Sequence, residues 1–367
     1  MIARGAPRVA LAARRPPGDV AVMRAELRDV IRDEHRAWKD SVVDRAVFGT
    51  TDPSEIASML GRFCEAELGA RVAGARFYRV SAGCVAGLDL DDGRAVVLKA
   101  QQGGRREEYL AACVEYRTML AGEGFPCPRP IGGPRRVGPA WILAEELTDA
   151  GTPGDAHTPP IRRAITGALA RLERLSERFP APERFGRAWY TGLPEGRVFP
   201  RPHSPAFDFD STRDGAEWIE RLAAEARARR GEAAGGRAVG HFDFRVEHLR
   251  FEGARVVASY DWDSLHNELV PVWIGSLAPH FTADWQREDV VRAPTLDEMR
   301  AFVADFEASR ARPFSADERR TLAAAAVYGM AYTARCNHAS NPREEGWNGD
   351  LRPLLRACAR ELLDRGL

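Results

Sequence analysis

The sequence predicts an α+β fold of two lobes: a small antiparallel sheet with one main helix, then a larger and mainly helical lobe, with a helical extension ahead of both. Three observations support this prediction. The chain has 367 residues, which favours two lobes over a single hydrophobic core. Short alternating apolar segments separated by turn residues lie between residues 71 and 147, as is typical of a sheet. Apolar residues at helical spacing dominate residues 148–367.

We accordingly divide the chain into four parts. Residues 1–22 contain scattered arginines and Pro16-Pro17-Gly18, and they are predicted to be a disordered leader. Residues 23–70 are the helical extension, residues 71–147 the first lobe, and residues 148–367 the second lobe.

The composition argues against several classes of protein. Basic and acidic residues number 53 each, so the formal net charge is zero; a nucleic-acid-binding surface usually shows as excess positive charge. The sequence has no apolar run long enough to span a membrane. Its six cysteines are dispersed, which is typical of a reducing compartment. We therefore expect a cytoplasmic monomer or homodimer that binds neither nucleic acid nor membrane.

Apolar residues at helical spacing predict that the extension is helical from Met23 to about Leu68. Thr51-Asp52 followed by Pro53 indicates a helix start, because proline at the first helical position loses no hydrogen bond. The apolar face of that helix comprises Ile56, Met59, Leu60 and Phe63. We interpret the extension as packing against the first lobe; a cap that selects substrate or dimerises is the alternative.

The first lobe opens with strands joined by two short turns. Ser81-Ala82-Gly83 separates the first two strands, and Asp91-Asp92-Gly93 predicts a hairpin before the third. Lysine occurs only at Lys39 and Lys99, although basic residues number 53. Lys99 lies inside an apolar strand, residues 95–100. An ammonium reaches a phosphate as a point charge where the guanidinium fork of arginine does not fit, so Lys99 is a candidate phosphate ligand.

A helix is predicted from about Glu107 to Ala121, and Glu115 lies on it among small or apolar neighbours. An unpaired carboxylate there would be costly, so we expect Glu115 to pair with Lys99. Glu108 is the rival partner for Lys99, and a solvated Glu115 is a further alternative. The apolar strand 140–147 then ends in residues 148–154, whose composition marks the boundary between the lobes.

The second lobe is predicted to contain helices from Thr158 and over residues 214–230, followed by three closing helices at about 296–310, 315–337 and 351–363. Ser315 and Glu318 form a capping-box signature. Residues 179–210 form a loop too long for a plain connector. Its aromatic residues either wall a substrate cleft or wrap the lobe: Trp189, Tyr190, Phe199, His203, Phe207 and Phe209.

The most informative segment runs from Gly240 to Asp263. His241-Phe242-Asp243 follows an apolar strand, and a second apolar run, residues 256–260, ends at Asp261-Trp262-Asp263. Two carboxylates placed in this way suit phosphoryl transfer to a hydroxyl, where one accepts the hydroxyl proton and the other holds the metal ion that neutralises the phosphates.

In these motifs the sequence resembles the aminoglycoside phosphotransferase and choline kinase-like family of small-molecule kinases. The family shares the pattern His-x-Asp-x4-Asn, followed by a metal-binding Asp, with protein kinases. His241, Asp243 and Asp261 match the pattern, and His248 stands where the family has Asn. The resemblance spans roughly residues 72–335 and implies a bilobal, protein-kinase-like fold.

The resemblance also implies roles for individual residues. Asp243 would be the catalytic base, His241 would support the loop, and Arg245 would contact the γ-phosphate or an anionic substrate. Asp261 would bind Mg2+, and His248 is the doubtful second metal ligand, because magnesium prefers oxygen. The nucleotide, ATP or GTP, would contact residues of the first lobe: Ser81, Ala82, Gly83, Lys99, Glu115, Glu145 and Leu147. Glu145 and Leu147 belong to the hinge that pairs with the purine.

Three functions stay open. The first is a nucleotide-dependent kinase for a small hydroxylated molecule such as an antibiotic, and we prefer it because Lys99, Glu115, Asp243 and Asp261 are all present. The second is a pseudokinase in which His248 has abolished metal binding. A protein kinase is disfavoured, because no Ala-Pro-Glu segment follows Asp261. Acidic residues between the last two helices, Glu344, Glu345 and Asp350, suggest a solvated turn or a surface for a cationic acceptor.

Overall fold

The computed structural model describes residues 25–367 except 38–41, 103–105, 189–192, 194, 205–206, 231–234 and 311. The predicted leader, Lys39, Trp189 and Tyr190 therefore lie outside the described residues. No helix in the described part of the chain is long and apolar enough to cross a membrane.

The extension contains three helices, α1 (Leu27–Ala37), α2 (Val42–Phe48) and α3 (Pro53–Phe63). Asp52 caps α3 as its spacing predicts, accepting hydrogen bonds from the backbone N–H groups of Ser54 and Glu55 at 2.7 and 3.0 Å. A π-helical turn, Cys64–Leu68, follows directly. The buried faces of all three helices belong to the same hydrophobic core as the sheet of the first lobe, so the extension packs on that lobe.

The first lobe contains a five-stranded antiparallel sheet in the order β1-β2-β3-β5-β4. Its strands are β1 (Val72–Val80), β2 (Cys84–Leu90), β3 (Ala95–Gln101), β4 (Pro130–Val137) and β5 (Ala140–Glu146), and helix α4 (Glu107–Gly122) lies between β3 and β4. Lys99 is in register with Leu143 on β5. Side chains of paired residues share a face of the sheet, so β5 supplies the neighbours of Lys99 on that face.

The turn at residues 81–83 passes close to β3. A Cβ added to Gly83 would lie 2.7 Å from the carbonyl oxygen of Ala100, so only glycine fits this approach. The backbone N–H of Ser81 donates to the carbonyl of Gly83 at 2.9 Å, and this hydrogen bond closes the turn. The turn lies beside Ala100, the residue that follows Lys99.

The described residues of the second lobe form six α-helices and two small antiparallel sheets. Its helices are α5 (Pro159–Ser176), α6 (Glu217–Arg230), α7 (Val270–Leu277), α8 (Leu296–Ser309), α9 (Ala316–Ser340) and α10 (Arg352–Arg365). One sheet pairs β6 (Arg237–His241) with β9 (Leu265–Leu269), and the other pairs β7 (Leu249–Glu252) with β8 (Arg255–Ser259). The capping box predicted at Ser315 and Glu318 is confirmed at the start of α9.

Helix α7 was not predicted from the sequence, because all eight of its residues are buried. A helix without a polar face shows no helical periodicity. Helix α7 packs behind the segment from Gly240 to Asp263. A Cβ on Gly240 would lie 2.5 Å from the ring of Trp273, and Trp273 Nε1 donates to the carbonyl of His241 at 3.0 Å. The last residues of β6 are thereby held against α7.

Candidate active site

His241 ends β6 and fixes the turn that follows it. The side chain is fully buried, its Nε2 lies 3.0 Å from the carbonyl oxygen of Tyr260, and its Nδ1 accepts the backbone N–H of Asp243 at 3.1 Å. Burial lowers the pKa of His241 to about 4, so the ring is neutral and carries its proton on Nε2. His241 thus ties the loop of Asp243 to the end of β8.

Asp243 lies between two basic side chains. Arg245 Nη1 forms an ion pair with its Oδ1, and His248 Nε2 lies 3.2 Å from its Oδ2. Arg245 also binds Glu247 through Nε at 2.9 Å. Burial alone would raise the pKa of Asp243, but the positive charge of Arg245, aided by the contact with His248, holds it far below the usual range. The carboxylate is therefore ionised at neutral pH.

Asp261 has φ 61°, the only positive φ of a non-glycine residue in the described part of the chain. Such a conformation is uncommon and clusters at functional sites. The next residue, Trp262, is buried, donates from Nε1 to the carbonyl of Ser259 at 2.9 Å and packs on His241. This anchor turns the Asp261 carboxylate back toward the loop of Asp243, where its Oδ2 lies 3.7 Å from His248 Nε2.

Lys99 reaches the same group of side chains from the first lobe. Its Nζ lies 3.4 Å from Asp261, 3.9 Å from Glu145 and 3.9 Å from Asp263. Burial would lower the pKa of Lys99, but these carboxylates, Glu145 first, hold it above its ordinary value. The structure thus brings together Lys99, Asp243 and Asp261, which lie far apart in the sequence.

The predicted pair between Lys99 and Glu115 is wrong. The Glu115 side chain is 54% exposed and binds Arg184 of the second lobe, with Nη2 to Oε1 at 3.1 Å. The rival partner, Glu108, contributes its backbone carbonyl to the same Arg184. Glu115 faces away from the sheet because α4 presents Tyr116 and Arg117 on its buried side.

The carboxylate that meets Lys99 from within the first lobe belongs to Glu145 on β5. Glu145 is 3% exposed and also forms an ion pair with Arg117 of α4, which is 2% exposed. We call Arg117, Glu145 and Lys99 the buried charge relay. The sequence signal for it was an acidic side chain, Glu145, that follows directly on the apolar run 140–144 of this strand; a charged residue in an apolar strand is also the signal that singled out Lys99.

The structure also bears on the prediction that Glu145 and Leu147 belong to a hinge that pairs with the purine. The Glu145 side chain points to Lys99 and Arg117, and the backbone N–H of Leu147 donates to the carbonyl of Ala95 at 3.0 Å. That N–H group is therefore already used within the first lobe. Contacts from Ser81, Ala82, Gly83 and Leu147 to a nucleotide stay predictions.

Asp243, His248 and Asp261 form the one group of potential metal ligands found among the described residues, with their ligand atoms all within 4.8 Å of one another. His248 Nε2 is buried and makes no hydrogen bond of good geometry. A buried nitrogen without a hydrogen bond, facing two carboxylates, fits a divalent cation.

Two further residues lie near this cluster: Asp263, which ends the segment Asp261-Trp262-Asp263, and His203 of the aromatic loop. Asp263 Oδ2 accepts a hydrogen bond of 2.7 Å from Gln101 Nε2, which links the second lobe to the end of β3. His203 contacts the hydroxyl of Tyr332 through Nδ1 at 2.9 Å. The residue is exposed, and the charges of Asp243 and Arg245 are near enough to act on its ring. The aromatic loop therefore packs on α9 and lies near Asp243.

The acidic residues between α9 and α10 are largely neutralised by arginine. Glu345 binds Arg356 at 2.8 Å, and Asp350 is buried and binds Arg352 at 2.9 Å. The predicted solvated turn is thus wrong for Asp350. These carboxylates are poorly placed to hold a cationic acceptor.

Comparison with known proteins yields matches at the level of structure only: no protein-family model and no curated protein matches the sequence. An amicoumacin kinase in complex with AMP-PNP and Ca2+ superposes with a TM-score of 0.57 at 11% identity, covering 79% of this chain and 88% of that chain. A microcompartment-associated aminopropanol kinase gives a TM-score of 0.55 at 14% identity, with 79% and 92% covered. A spectinomycin phosphotransferase in complex with ADP and spectinomycin gives 0.50 at 12% identity, with 84% and 94% covered.

The predicted fold class is confirmed, because a five-stranded antiparallel sheet followed by a mainly helical lobe is what these similar structures share. The chain therefore has the bilobal, protein-kinase-like fold of small-molecule phosphotransferases.

Proposed function

We propose that this protein is a nucleotide-dependent phosphotransferase that moves the γ-phosphate of ATP, or of GTP, to a hydroxyl group of a small molecule such as an antibiotic or a related metabolite. The observation that carries the proposal is the meeting of Asp243, Asp261 and Lys99 in one cleft between the lobes. In phosphoryl transfer the protein mainly positions the reactants and stabilises charge.

Each of the three residues has a role that its surroundings support. Asp243 is ionised and accepts a hydrogen bond from the acceptor hydroxyl, then takes its proton late in the reaction. Lys99 is cationic and orients the phosphates. Asp261 and His248 would hold a divalent cation, Mg2+ in the first instance, and the cation supplies charge neutralisation between the phosphates.

The acceptor is better described as neutral or weakly basic than as a polycation. The acidic residues nearest the end of the chain are paired with Arg352 and Arg356, and Arg245 adds positive charge beside Asp243. His203 and its aromatic neighbours offer flat surfaces near the base.

A pseudokinase is the second candidate, and one observation favours it: the side chains of Arg245 and His248 both contact the Asp243 carboxylate. In this alternative they would block the base from an acceptor.

Nucleotide-dependent phosphate transfer separates the two candidates. The purified protein is incubated with labelled ATP or GTP, Mg2+ or Mn2+, and a panel of aminoglycosides, nucleosides, sugars and amino alcohols. We expect transfer to at least one acceptor and a loss of about 10²-fold or more in Asp243→Asn, with nucleotide binding retained in thermal-shift measurements. Nucleotide binding without transfer to any acceptor, and without slow hydrolysis, would support the pseudokinase.

A further inference from the structure

His248 is the position where this chain departs from the pattern it otherwise follows, and its backbone is held firmly. The residue closes a short 3-10 turn, Val246–His248, whose last N–H donates to the carbonyl of Arg245 at 3.0 Å. Its own carbonyl accepts the N–H of Tyr260 at 2.8 Å. Since Tyr260 directly precedes Asp261, the backbone fixes the imidazole and the Asp261 carboxylate relative to each other.

The distances around His248 Nε2 suit a shared metal ion. The atom lies 3.2 Å from Asp243 Oδ2 and 3.7 Å from Asp261 Oδ2. Two adjacent ligand atoms about 2.1 Å from one ion lie roughly 3.0 Å apart in octahedral and roughly 3.4 Å apart in tetrahedral geometry. The observed separations differ from these values by about 0.2 Å at Asp243 and by about 0.3–0.7 Å at Asp261.

The chemistry of the donor differs from that of the amide it replaces. An asparagine at this position would offer a carbonyl oxygen, whereas His248 offers an imidazole nitrogen. Mg2+ is a hard ion that prefers oxygen ligands, while Mn2+ accepts both carboxylate oxygen and imidazole nitrogen. A ligand set that joins the imidazole of His248 to the carboxylate of Asp261 is therefore a better match for Mn2+ than for Mg2+.

We propose that His248 is a nitrogen ligand that shifts the metal preference of this site from Mg2+ toward Mn2+. The inference rests on the proposed function, because an ion at this position serves the phosphates of the nucleotide. The competing arrangement is a protonated His248 that binds both carboxylates and takes the place of an ion.

The first test is metal binding, measured on the chelator-treated protein without turnover. Free Mn2+ is followed by electron paramagnetic resonance during a titration, with and without AMP-PNP, and Mg2+ is then added in competition. Bound Mn2+ is examined by pulsed resonance for coupling to ¹⁴N, which reports direct ligation by imidazole.

The variant is His248→Asn and the matched control is His157→Asn, which lies on the segment before α5 and contacts Glu298 and Val291 instead of the cleft. We expect ¹⁴N coupling in the wild type and the control, and its loss in His248→Asn. The ratio of Mn2+ to Mg2+ affinity should fall by about tenfold or more in His248→Asn, since even outer-shell changes cost about 10–100-fold in metal affinity. Circular dichroism and thermal unfolding check that the variant folds.

Three outcomes would overturn the inference. They are bound Mn2+ without ¹⁴N coupling in the wild type, an unchanged affinity ratio in His248→Asn, and an absence of Mn2+ binding that His248→Asn relieves. The last outcome would identify a protonated imidazole in the place of the ion. Because no readout depends on phosphate transfer, metal ligation without any transfer would count against the proposed function alone.

Discussion

At the scale of single residues, the state of Asp243 depends on the charge of Arg245. The guanidinium joins Asp243 to Glu247, and these three side chains are at most about one quarter exposed. An ion pair shielded in this way keeps a carboxylate ionised well below its ordinary pKa. It also fixes Oδ1 of Asp243, while Oδ2 faces His248.

Removing the charge of Arg245 should alter the pH dependence of the reaction. In Arg245→Ala, Asp243 keeps its burial, which raises its pKa, but loses the largest effect that lowers it. A base must be deprotonated, so kcat/KM of the variant should fall as the pH decreases from 7.5 to 5.5, while the wild-type value stays flat in that range. The measurement is a pH profile of kcat/KM.

Arg245→Lys is the control for this prediction, because it keeps the positive charge and loses only the planar fork. Its profile should remain flat even if its KM increases. An Arg245→Ala profile that parallels the wild type would show that Arg245 does not set the protonation of Asp243.

At the scale of secondary-structure elements, the buried charge relay joins α4 to the sheet. Arg117 comes from α4, Glu145 from β5 and Lys99 from β3, and all three side chains are buried. Taking such charges out of water is expensive, and mutual pairing compensates for that cost only while every partner is present. The relay therefore fixes the position of α4 as well as the charge of Lys99.

Glu145→Gln should destabilise the protein strongly. The substitution leaves Arg117 and Lys99 without their shared counter-charge, and removal of one partner from a buried ion pair costs about 3–5 kcal/mol. Glu115→Gln is a matched control on α4, since its exposed pair with Arg184 is worth at most about 1 kcal/mol. The free energy of unfolding in urea measures both. Equal losses for the two variants would contradict the relay.

Helix α4 also shows which contacts could not be predicted from the sequence. The sequence could single out Lys99, Asp243 and Asp261 as candidate site residues, because each follows or interrupts an apolar run, which is a local signal. The partner of Lys99 could not, because α4 is packed between the sheet and the second lobe and carries apolar residues on more than one side. Glu115 and Arg117 then look equally enclosed by their neighbours, although only Arg117 is buried. Helix α7 was missed for the related reason that none of its residues is exposed.

At the scale of the whole molecule, the cleft is held by hydrogen bonds between the lobes. The hydroxyl of Tyr109 on α4 donates to the carbonyl of Asp263 at 2.8 Å and accepts the N–H of Leu265 at 3.1 Å. Tyr116 donates to the carbonyl of Val239 at 3.0 Å, and Ser259 donates to Pro126 across the same boundary. One helix of the first lobe is thus anchored to β6 and β9, the strands on either side of the segment that holds Asp243 and Asp261.

Loss of the Tyr109 hydroxyl should therefore weaken nucleotide binding as well as lower the stability of the protein. Tyr109→Phe removes a donor and an acceptor between the lobes, and we expect a loss of about 1–2 kcal/mol in the free energy of unfolding. Tyr328→Phe is a control of the same chemistry, since its hydroxyl donates to Val198 within the second lobe at 2.8 Å. Calorimetry should show a severalfold weaker affinity for AMP-PNP in Tyr109→Phe alone. Equal affinities in the two variants would show that this contact does not shape the nucleotide site.

The free energy of unfolding of the whole protein should also depend on pH through His157. Both ring nitrogens face acceptors, Nδ1 the carboxylate of Glu298 at 2.6 Å and Nε2 the carbonyl of Val291 at 2.8 Å, and only the doubly protonated ring satisfies both.

Burial would lower the pKa of His157, but these two acceptors hold it above its ordinary value of 6.5. A raised pKa in the folded state stabilises the protein fully below the unfolded pKa, and this contribution disappears as the pH rises through the folded pKa.

The difference in unfolding free energy between wild type and His157→Gln should therefore be largest near pH 5.5 and should shrink toward pH 8.5, measured by urea denaturation at each pH. Glu298→Gln should lose part of the same pH dependence, because its amide is a weaker acceptor for the imidazolium. A difference that grows with pH would mean that His157 is neutral in the folded protein.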